Sequence, residues 1–346
     1  MLPVIWHLVP GFPPQINGLG DYAAILSSEC ESMGFATSRF IVCNPNWLGH
    51  DPRVIVAATA EELSMTLSKN DIGNLLVHFV NYGYAKRGCP VWMPRILRHW
   101  RTGQRHRRLV VFMHEIYAFD GRPWKSAFWL SPLQRWIARG MHRISDHVFT
   151  SNQNYAQWLG SNASLPPISV LPVISNVGEA SCPPAAENRD GIIVLFGSWG
   201  TRMTSLAAVL AARRRHSIKV LEIGPGASVR PIGIEVPPWK FTGILPPDVI
   251  SKALLNARYC AIAVGSASLA KSGTFAAAAA HACLPVVSRK PESDKDGIAS
   301  AWLWNAVNEE NAKLGAGEAL HRWYQGHRAQ VCARVISNAF LGMKNI

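Results

Sequence analysis

Short apolar runs alternate with helical stretches through most of this 346-residue chain, and no other feature constrains its fold as strongly. In the first half, the runs with the length of strands are Val4–Val9, Thr37–Val42, Asn74–Val80, Arg108–His114, His147–Thr150 and the shorter Ile168–Leu171. The helical stretches between them are Tyr22–Met33, Ala60–Leu67, Pro94–Trp100 and Ser131–Ile144. Strands that alternate with helices form parallel βαβ units. The first half therefore predicts a doubly wound parallel sheet.

The second half repeats this pattern after a polar, Pro-containing stretch at 181–190, which predicts a linker. Its predicted strands are Gly191–Phe196, Ile218–Ile223, Ile234–Phe241, Tyr259–Val264 and Leu284–Val287, and its predicted helices are Ser205–Arg215, Pro247–Asn256 and Phe275–Ala282. We therefore expect an α/β chain with two Rossmann-like domains that face each other across a cleft. The first covers residues 1–180 and the second 191–320, and a C-terminal helix over 321–346 can cross back to the first domain.

Composition narrows the class of protein. Hydrophobic residues make up 48% of the chain and charged residues 16%, which suits a folded protein with a sizeable core. No apolar run is long enough to span a bilayer, and the first residues lack the basic start and cleavage site of a signal peptide. The seven cysteines are scattered and never form a C-x-x-C pair, which favours a reducing compartment over disulfides or a zinc site. These features predict a cytoplasmic protein.

The charge balance is strongly basic. The chain has 35 Lys and Arg against 22 Asp and Glu, a net charge of +13, which favours nucleotide phosphates, nucleic acid or an anionic membrane as partners. Two stretches of the first half combine basic and aromatic residues, namely Arg95, Arg98, Arg101, Arg105, Arg107, Arg108, Trp124, Lys125, Phe128, Trp129, Arg135, Trp136, Arg139 and Arg143. Such a face suits docking at a membrane interface, and it suits nucleic acid as well.

A polar turn between a buried strand and an Ala-rich helix is the best candidate for an anion site. The turn consists of Lys271, Ser272, Gly273 and Thr274, and the helix after it is almost entirely alanine. The start of a helix carries unpaired N–H groups and the positive end of the helix dipole, so it binds anions. We therefore expect Lys271 and the N–H groups of the turn to hold a diphosphate.

Several motifs resemble, in order along the chain, those of GT-B glycosyltransferases, in particular the retaining glycogen-synthase-like (family 4-like) group. They are the glycine-rich loop Gly11–Tyr22 and the segments Phe112–Glu115, Phe149–Asn152, Leu195–Gly197, Leu221–Gly226 and Phe241–Gly243. The Lys271 turn then takes the place of the helix that binds the donor diphosphate. The resemblance implies two Rossmann-like domains and transfer of a sugar from a UDP- or GDP-linked nucleotide-sugar to an acceptor hydroxyl.

The resemblance also implies roles for individual residues. The donor would be bound by Gly18, Leu19, Gly20, Arg202, Gly224, Thr242, Lys271, Ser272, Gly273 and Thr274. His114 and Glu115 end an apolar strand, at the edge where open α/β sheets bind ligands. His114 would hydrogen-bond a sugar hydroxyl or the transferring centre, and Glu115 would be the base if the enzyme inverts. Asp21 would cap the following helix or act as a base.

One feature departs from the retaining family. That family carries two glutamates in an E-x(7)-E pattern, and here Ala270 and Ala278 occupy those positions. The sequence therefore leaves retention or inversion of the anomeric centre open, and it also allows a non-catalytic binding module with the GT-B fold.

We expect a site without metal and without a cofactor. The only D-x-D triplet, Asp294-Lys295-Asp296, lies in a polar stretch rather than directly after an apolar strand, where a metal–diphosphate site would need it. No histidine pairing suggests metal ligands. The basic, Trp-rich face predicts an acceptor on a membrane-associated lipid or surface glycan and peripheral docking at an anionic membrane. Transfer to a modified base in DNA and a nucleotide-sugar epimerase reaction are the alternatives.

Overall fold

The computed structural model describes residues 2–15, 17–118, 123–160, 164–215, 218–232, 238–263, 269–289 and 295–341. They form two compact units, Met1–Pro172 with Ala329–Ile346 and, separately, Val173–Arg328. Each unit contains a parallel sheet with helices connecting its strands. The α/β class and the two Rossmann-like domains expected from the sequence are therefore confirmed.

The first unit is built on a seven-stranded sheet. Its strands are β1 (Val4–Val9), β2 (Thr37–Val42), β3 (Val54–Val56), β4 (Asn74–Phe79), β5 (Arg108–Met113), β6 (His147–Thr150) and β7 (Ile168–Val170). Its connecting helices are α1 (Gly18–Ser32), α2 (Ala60–Lys69), α3 (Asn81–Tyr84), α4 (Trp92–Gly103), α5 (Ser126–Ile144) and α6 (Gln153–Leu159). The strand order is β3-β2-β1-β4-β5-β6-β7, and all pairs are parallel. The order reverses direction between β1 and β4, the kind of position where doubly wound sheets bind ligands.

The second unit repeats this order in a six-stranded sheet, β10-β9-β8-β11-β12-β13. Its strands are β8 (Asp190–Phe196), β9 (Lys219–Ile223), β10 (Trp239–Phe241), β11 (Ala257–Ala261), β12 (Leu284–Val287) and β13 (Trp304–Asn305). Its α-helices are α7 (Trp199–Arg215), α8 (Pro247–Asn256), α9 (Gly273–Ala280) and α10 (Ala316–Gln325). The predicted strand ends at Ile234 and Val264 lie outside the described residues.

The central strands are buried on both faces. Leu75 and Val77 of β4 and Leu109 and Val111 of β5 are inaccessible to solvent and share a core cluster with Leu97 of α4. Parallel strands covered by helices on both faces read as continuous apolar runs, because neither face meets water. This is why the sequence pattern located these strands.

The last helix, α11 (Ala329–Leu341), belongs to the first unit. It packs on α1, where the thiol of Cys30 lies 3.6 Å from the hydroxyl of Ser337. The segment expected to form one helix over 321–346 is thus divided between α10 in the second unit and α11 in the first.

Some boundaries differ from those expected. The stretch 181–190, predicted as a linker, lies within the second unit, where the buried guanidinium of Arg189 donates to the carbonyl oxygen of Ala257. Two helices begin earlier than the sequence predicted. Helix α1 begins at Gly18, four residues before the predicted start at Tyr22, and α5 begins at Ser126, five residues before the predicted start at Ser131. Strand β3 was not predicted, because its three residues are partly exposed at the sheet edge and carry no long apolar run.

Candidate functional site

Three histidines from neighbouring strands form a hydrogen-bonded chain in the first unit. His7 lies in β1, His78 in β4, and His114 directly follows β5. His7 Nδ1 is 3.1 Å from His78 Nε2, and His78 Nδ1 is 3.3 Å from His114 Nε2. His7 and His78 are buried, and His114 is partly exposed. The chain therefore runs from the interior of the sheet to the carboxyl end of β5, an edge that binds ligands in such folds.

All three imidazoles are neutral at physiological pH. Burial lowers the pKa of His7 to about 3, with a further contribution from the positive charge of Arg53. Burial also lowers the pKa of His114 to about 3, and it holds the pKa of His78 well below its ordinary value, with added repulsion from the other two histidines. A neutral imidazole has one N–H donor and one acceptor nitrogen. The three histidines can therefore fix the positions of their ring protons without carrying charge.

Aromatic rings hold the exposed end of this chain in place. Phe112 stacks on His114 with ring centroids 4.2 Å apart, and Tyr22 meets His114 edge-on at 5.0 Å. Tyr22 also contacts the ring of His78. Because Tyr22 lies in α1, this helix and β5 together fix the orientation of the His114 ring.

Sequence reasoning identified His114 and did not identify His7 or His78. The sequence did contain a feature that indicates them. In the runs VIWHLV and LLVHF, a single histidine interrupts an otherwise apolar strand near its carboxyl end. Glu115 lies next to His114, and the backbone N–H groups of both residues reach the carbonyl oxygen of Phe79. The structure thus brings Glu115 to the same strand end as the histidine chain.

The glycine-rich loop has a different internal geometry from the one expected. Asn17 caps α1, and its side-chain oxygen accepts from the N–H groups of Leu19 and Gly20 at 3.0 and 3.3 Å. These two N–H groups are therefore already used. A Cβ at Gly20 would lie 2.6 Å from the carbonyl oxygen of Gly11, whereas one at Gly18 would meet nothing within 4 Å. Gly20 thus serves close packing within the loop, and Gly18 alone borders open space.

Asp21 lies in the first turn of α1 and does not cap it. Its backbone N–H donates to the carbonyl oxygen of Asn17 at 2.9 Å, as expected for a residue inside the helix. The capping role predicted for Asp21 belongs to Asn17, four residues earlier. A carboxylate in the first turn still interacts favourably with the positive end of the helix dipole.

In the second unit, the predicted anion turn does lie at a helix start. Ser272 caps α9, and its hydroxyl oxygen accepts from the N–H of Phe275 at 3.3 Å and lies 2.9 Å from the hydroxyl of Thr274. The backbone N–H of Ser272 donates to the carbonyl oxygen of Leu269, so it is not available to an anion. Gly273 and Thr274 occupy the first turn, and Lys271 lies just before the cap.

The start of α9 lies close to the carboxyl end of β8. A Cβ at Gly197, the residue after β8, would come within 3.5 Å of the methyl group of Thr274. Residues Phe275–Ala280 behind this turn are all buried, and Ala270 and Ala278 are buried as well. The small side chains therefore let α9 press against the sheet and leave no acidic group at the two alanine positions.

Arg202 is buried beneath this edge and bonds within the protein. Its side chain is fully buried and forms an ion pair with Glu222 of β9. It also donates to the backbone carbonyl oxygens of Gly197, Pro225 and Ala227. Burial alone would raise the pKa of Glu222, but hydrogen bonds lower it below its usual value, and they come from Ser228, Val229, Trp239 and Arg202. In the structure, Arg202 therefore braces the loops after β8 and β9.

Gly224 and Thr242 are likewise engaged within the protein. Gly224 has a φ of +149°, and a Cβ there would lie 2.1 Å from the carbonyl oxygen of Gly197, so only glycine fits. Its N–H donates to the carbonyl oxygen of Gly243 at 2.8 Å. The hydroxyl of Thr242 lies 3.3 and 3.2 Å from the carbonyl oxygens of Glu222 and Gly243, and its single proton can go to either of them. Both residues shape the edge of the sheet through these contacts.

The described residues contain neither a candidate metal-binding cluster nor a helix that could span a membrane. No cluster of three or more His, Cys, Asp or Glu side chains that could hold a metal ion occurs among them. No helix in the described part of the chain combines the length and apolarity needed to cross a membrane. Asp294, the first residue of the D-x-D triplet, lies outside the described residues.

Comparison with solved structures relates the whole chain to sugar-transferring enzymes. The lipopolysaccharide outer core galactosyltransferase WaaB matches with a TM-score of 0.60 at 12% identity over 99% of both chains. AviGT4, a glycosyltransferase of avilamycin A biosynthesis, matches with a TM-score of 0.56 at 13% identity over 99% of this chain and 97% of its own. The T4 phage enzyme BGT in complex with UDP-glucose matches with a TM-score of 0.52 at 12% identity over 98% of this chain and 99% of its own. That phage enzyme has also been solved with UDP and Mn²⁺.

No protein-family model matches the chain, and no curated protein sequence matches it. At identities this low, the structural matches establish the fold. The chain has the GT-B fold, with two Rossmann-like domains that each carry a parallel sheet and connecting helices.

Proposed function

We propose that the protein is a glycosyltransferase that moves a sugar from a UDP- or GDP-linked nucleotide-sugar to an acceptor hydroxyl. The observation that carries the proposal is the end-to-end match of the fold to enzymes such as WaaB and to the T4 phage enzyme solved with UDP-glucose. Polar groups at the strand ends of both units support it, because ligands of open α/β sheets bind there.

Glycosyl transfer needs positive charge at the leaving diphosphate and a base at the acceptor. In our proposal, Lys271 and the N–H groups of Gly273 and Thr274 stabilise the negative charge that builds on the diphosphate. Glu115 takes the proton of the acceptor hydroxyl if the reaction inverts the anomeric centre. Gly18, whose missing side chain leaves open space, lets the donor approach the start of α1. We propose that the positive charge at the diphosphate comes from the protein and not from a metal ion, so that activity persists in EDTA.

A panel of nucleotides and nucleotide-sugars tests the donor. A ligand that binds only the folded state raises the free energy of unfolding by about 2.7 kcal/mol at 100 times its Kd, which raises the melting temperature. We expect a UDP- or GDP-sugar to do so with the wild type. The Lys271→Ala variant should bind it at least tenfold more weakly, because a charge-assisted hydrogen bond contributes about 1.5–3 kcal/mol.

The matched control is Lys219→Ala, since Lys219 is exposed at the amino end of β9, away from the edge that binds ligands. This variant should respond to the donor as the wild type does. If no nucleotide or nucleotide-sugar stabilises the wild type, the proposal fails. Slow hydrolysis of the donor would exclude a pure binding module, and release of an epimerised nucleotide-sugar would identify an epimerase instead.

For the acceptor we propose a lipid or surface glycan at an anionic membrane, with the enzyme docked peripherally. Large apolar side chains are exposed on helix α5 and two residues before it. Trp124, Trp129 and Trp136 are 77%, 70% and 58% exposed. Leu133 shares the side of α5 that carries Trp129 and Trp136, because residues three and four apart are neighbours on a helix surface. The exposed ring of Phe128 meets that of Trp129 edge-on. The basic residues along this helix are Lys125, Arg135, Arg139 and Arg143. Exposed tryptophans beside cationic side chains are typical of helices that lie at a membrane interface.

Vesicle flotation tests this surface. We expect the wild type to bind vesicles of phosphatidylglycerol and phosphatidylcholine, and Trp129→Glu/Trp136→Glu to lose most of that binding without a change in melting temperature, since both side chains are exposed. Trp199→Glu is the matched control, because Trp199 is 51% exposed on the second unit. Binding to duplex DNA but not to vesicles at physiological salt would overturn the membrane proposal in favour of a nucleic-acid acceptor.

A further inference from the structure

The chain of His7, His78 and His114 couples the protonation of one ring nitrogen to that of the next. Each contact between two rings has space for one proton, so one nitrogen donates and the other accepts. Two neutral arrangements satisfy both contacts. In one, protons lie on Nδ1 of all three rings; in the other, they lie on Nε2 of all three.

The buried end of the histidine chain, at His7, distinguishes these two arrangements. Nε2 of His7 is buried and has no hydrogen-bond partner among the described residues. If it carried the proton, a buried N–H would be left without an acceptor among the described residues. For backbone groups, orphaned N–H donors are rarer than under-satisfied carbonyl oxygens, and we apply the same order to the ring nitrogens. Burial and the charge of Arg53 lower the pKa of His7 and so oppose a second proton, which keeps the ring neutral in either arrangement. The arrangement with protons on Nδ1 avoids the buried, unpaired donor.

We propose that His7 and His78 are positioning residues that hold His114 as the Nδ1–H tautomer, so that His114 offers a neutral hydrogen-bond donor to a ligand oxygen at the end of β5. His7 Nδ1–H then donates to His78 Nε2, and His78 Nδ1–H donates to His114 Nε2. No described residue bonds Nδ1 of His114. The identity of the ligand oxygen, a sugar or acceptor hydroxyl, rests on the proposed function, whereas the tautomer does not.

This arrangement separates the roles of the two neighbouring residues. His114 cannot accept a proton from a hydroxyl, because its Nδ1 already carries one and its Nε2 accepts from His78. It can stabilise negative charge on an oxygen by donating a hydrogen bond. Removal of the acceptor proton is then left to another group at this edge, and Glu115 is the adjacent candidate.

NMR of protein labelled with ¹⁵N at histidine measures the tautomer directly, without donor or acceptor. The fold supplies two internal references, because a carbonyl oxygen can only accept. His281 Nδ1 lies 2.8 Å from the carbonyl oxygen of Ala277, so it must carry a proton, and His142 Nε2 lies 2.9 Å from that of Pro166, so it must too. We expect the ¹⁵N pattern of His114 to match that of His281 and to differ from that of His142.

The variant His78→Phe removes the donor to His114 and keeps an aromatic ring in the core. We expect the His114 signal to move toward the Nε2–H tautomer. If His78→Phe does not fold, His7→Phe perturbs the same chain one step further away, and the wild-type spectrum is informative by itself. A wild-type His114 with its proton on Nε2, or a tautomer that neither variant changes, would overturn the proposal.

Activity then gives a separate readout. If the protein transfers sugar as proposed, His78→Phe should lower kcat/KM by about tenfold or more, because a misoriented His114 would no longer be held in the productive geometry. A His114 in the expected tautomer together with an absence of any transferase activity would contradict the proposed function and leave the histidine chain intact.

Discussion

Buried neutral histidines make the folded protein sensitive to acid. The pKa of His7 is about 3 in the folded state and that of His78 is well below its ordinary value, whereas both titrate near 6.5 when unfolded. Below about pH 6.5 the unfolded chain therefore binds protons that the folded chain does not. Each residue then lowers the free energy of unfolding by up to about 1.4 kcal/mol per pH unit, and neither contributes above that range.

Urea unfolding at about pH 7 and about pH 5 checks this expectation. The variant His78→Phe should lose less stability than the wild type over that interval, because it has one fewer group that takes up a proton on unfolding. His99→Phe is the control, since His99 is exposed on α4. An equally steep loss in His78→Phe and in the wild type would contradict the burial argument.

The buried ion pair of Arg202 shows which residue contacts cannot be inferred from sequence alone. The position of Arg202 after β8 predicted a phosphate ligand, and the structure adds a buried ion pair with Glu222 that the sequence did not predict. A carboxylate in the buried part of a strand requires a partner, because an unpaired buried charge is very costly. Sequence could have raised the question of which cation neutralises Glu222. It could not select Arg202, since the two lie 20 residues apart and meet only through the sheet.

At the scale of elements, the first turn of α1 offers a test of what its glycines do. A Cβ at Gly20 would lie 2.6 and 2.9 Å from backbone atoms of Gly11 and Phe12, which cannot move away cheaply. Gly20→Ala should therefore lower the free energy of unfolding by about 1–3 kcal/mol. Gly18→Ala meets no atom within 4 Å and should leave stability unchanged or raise it by up to about 1 kcal/mol.

Chemical denaturation and a donor-binding assay separate the two variants. If the donor approaches the start of α1 as proposed, Gly18→Ala should weaken its binding while the melting temperature stays the same. Unimpaired donor binding in Gly18→Ala would remove this residue from the proposed site. A stable Gly20→Ala protein would contradict the close packing between the loop and the helix.

Elements buried on both faces were predictable, and those at edges and caps were less so. Strands β1 and β6 have the bounds that the apolar runs predicted, and every residue after the first is buried in both. Strand β2 matches as well, although Thr37 and Arg39 are exposed. Strand β3 escaped prediction because it is short and partly exposed. The start of α1 was placed too late, although an asparagine before a glycine-rich run is a recognisable cap, and Asn17 fills that role.

At the scale of the whole molecule, composition gave a poor guide to where one unit ends. The polar stretch 181–190 resembles a linker, yet Arg189 ties it to β11 by a bond to Ala257 and to its own loop by a bond to Pro184. A polar, Pro-containing segment is typical of any surface loop, so its composition does not distinguish a linker from a tethered loop. The division of the chain depends on contacts that join distant parts of the sequence.

The packing of helix α11 on α1 is the clearest example of a contact between distant parts of the sequence. Through it, α11 belongs to the first unit. Ala333 is inaccessible to solvent, and its carbonyl oxygen lies 3.9 Å from the thiol of Cys30 in α1. Ala333→Asp would bury an unpaired carboxylate at this contact and should lower the free energy of unfolding of the first unit by about 3 kcal/mol or more. The neighbouring change Arg334→Asp lies on the exposed side of the same helix and should have a small effect.

The thiol of Cys30 reports which unit is affected. Burial raises its pKa to about 11, so it reacts slowly with thiol reagents in the folded protein. Ala333→Asp should speed its labelling, whereas Cys283, buried in the second unit, should keep its slow rate. Labelling of both thiols at the same increased rate would mean that the two units unfold together, and unchanged labelling of Cys30 would mean that α11 does not protect α1.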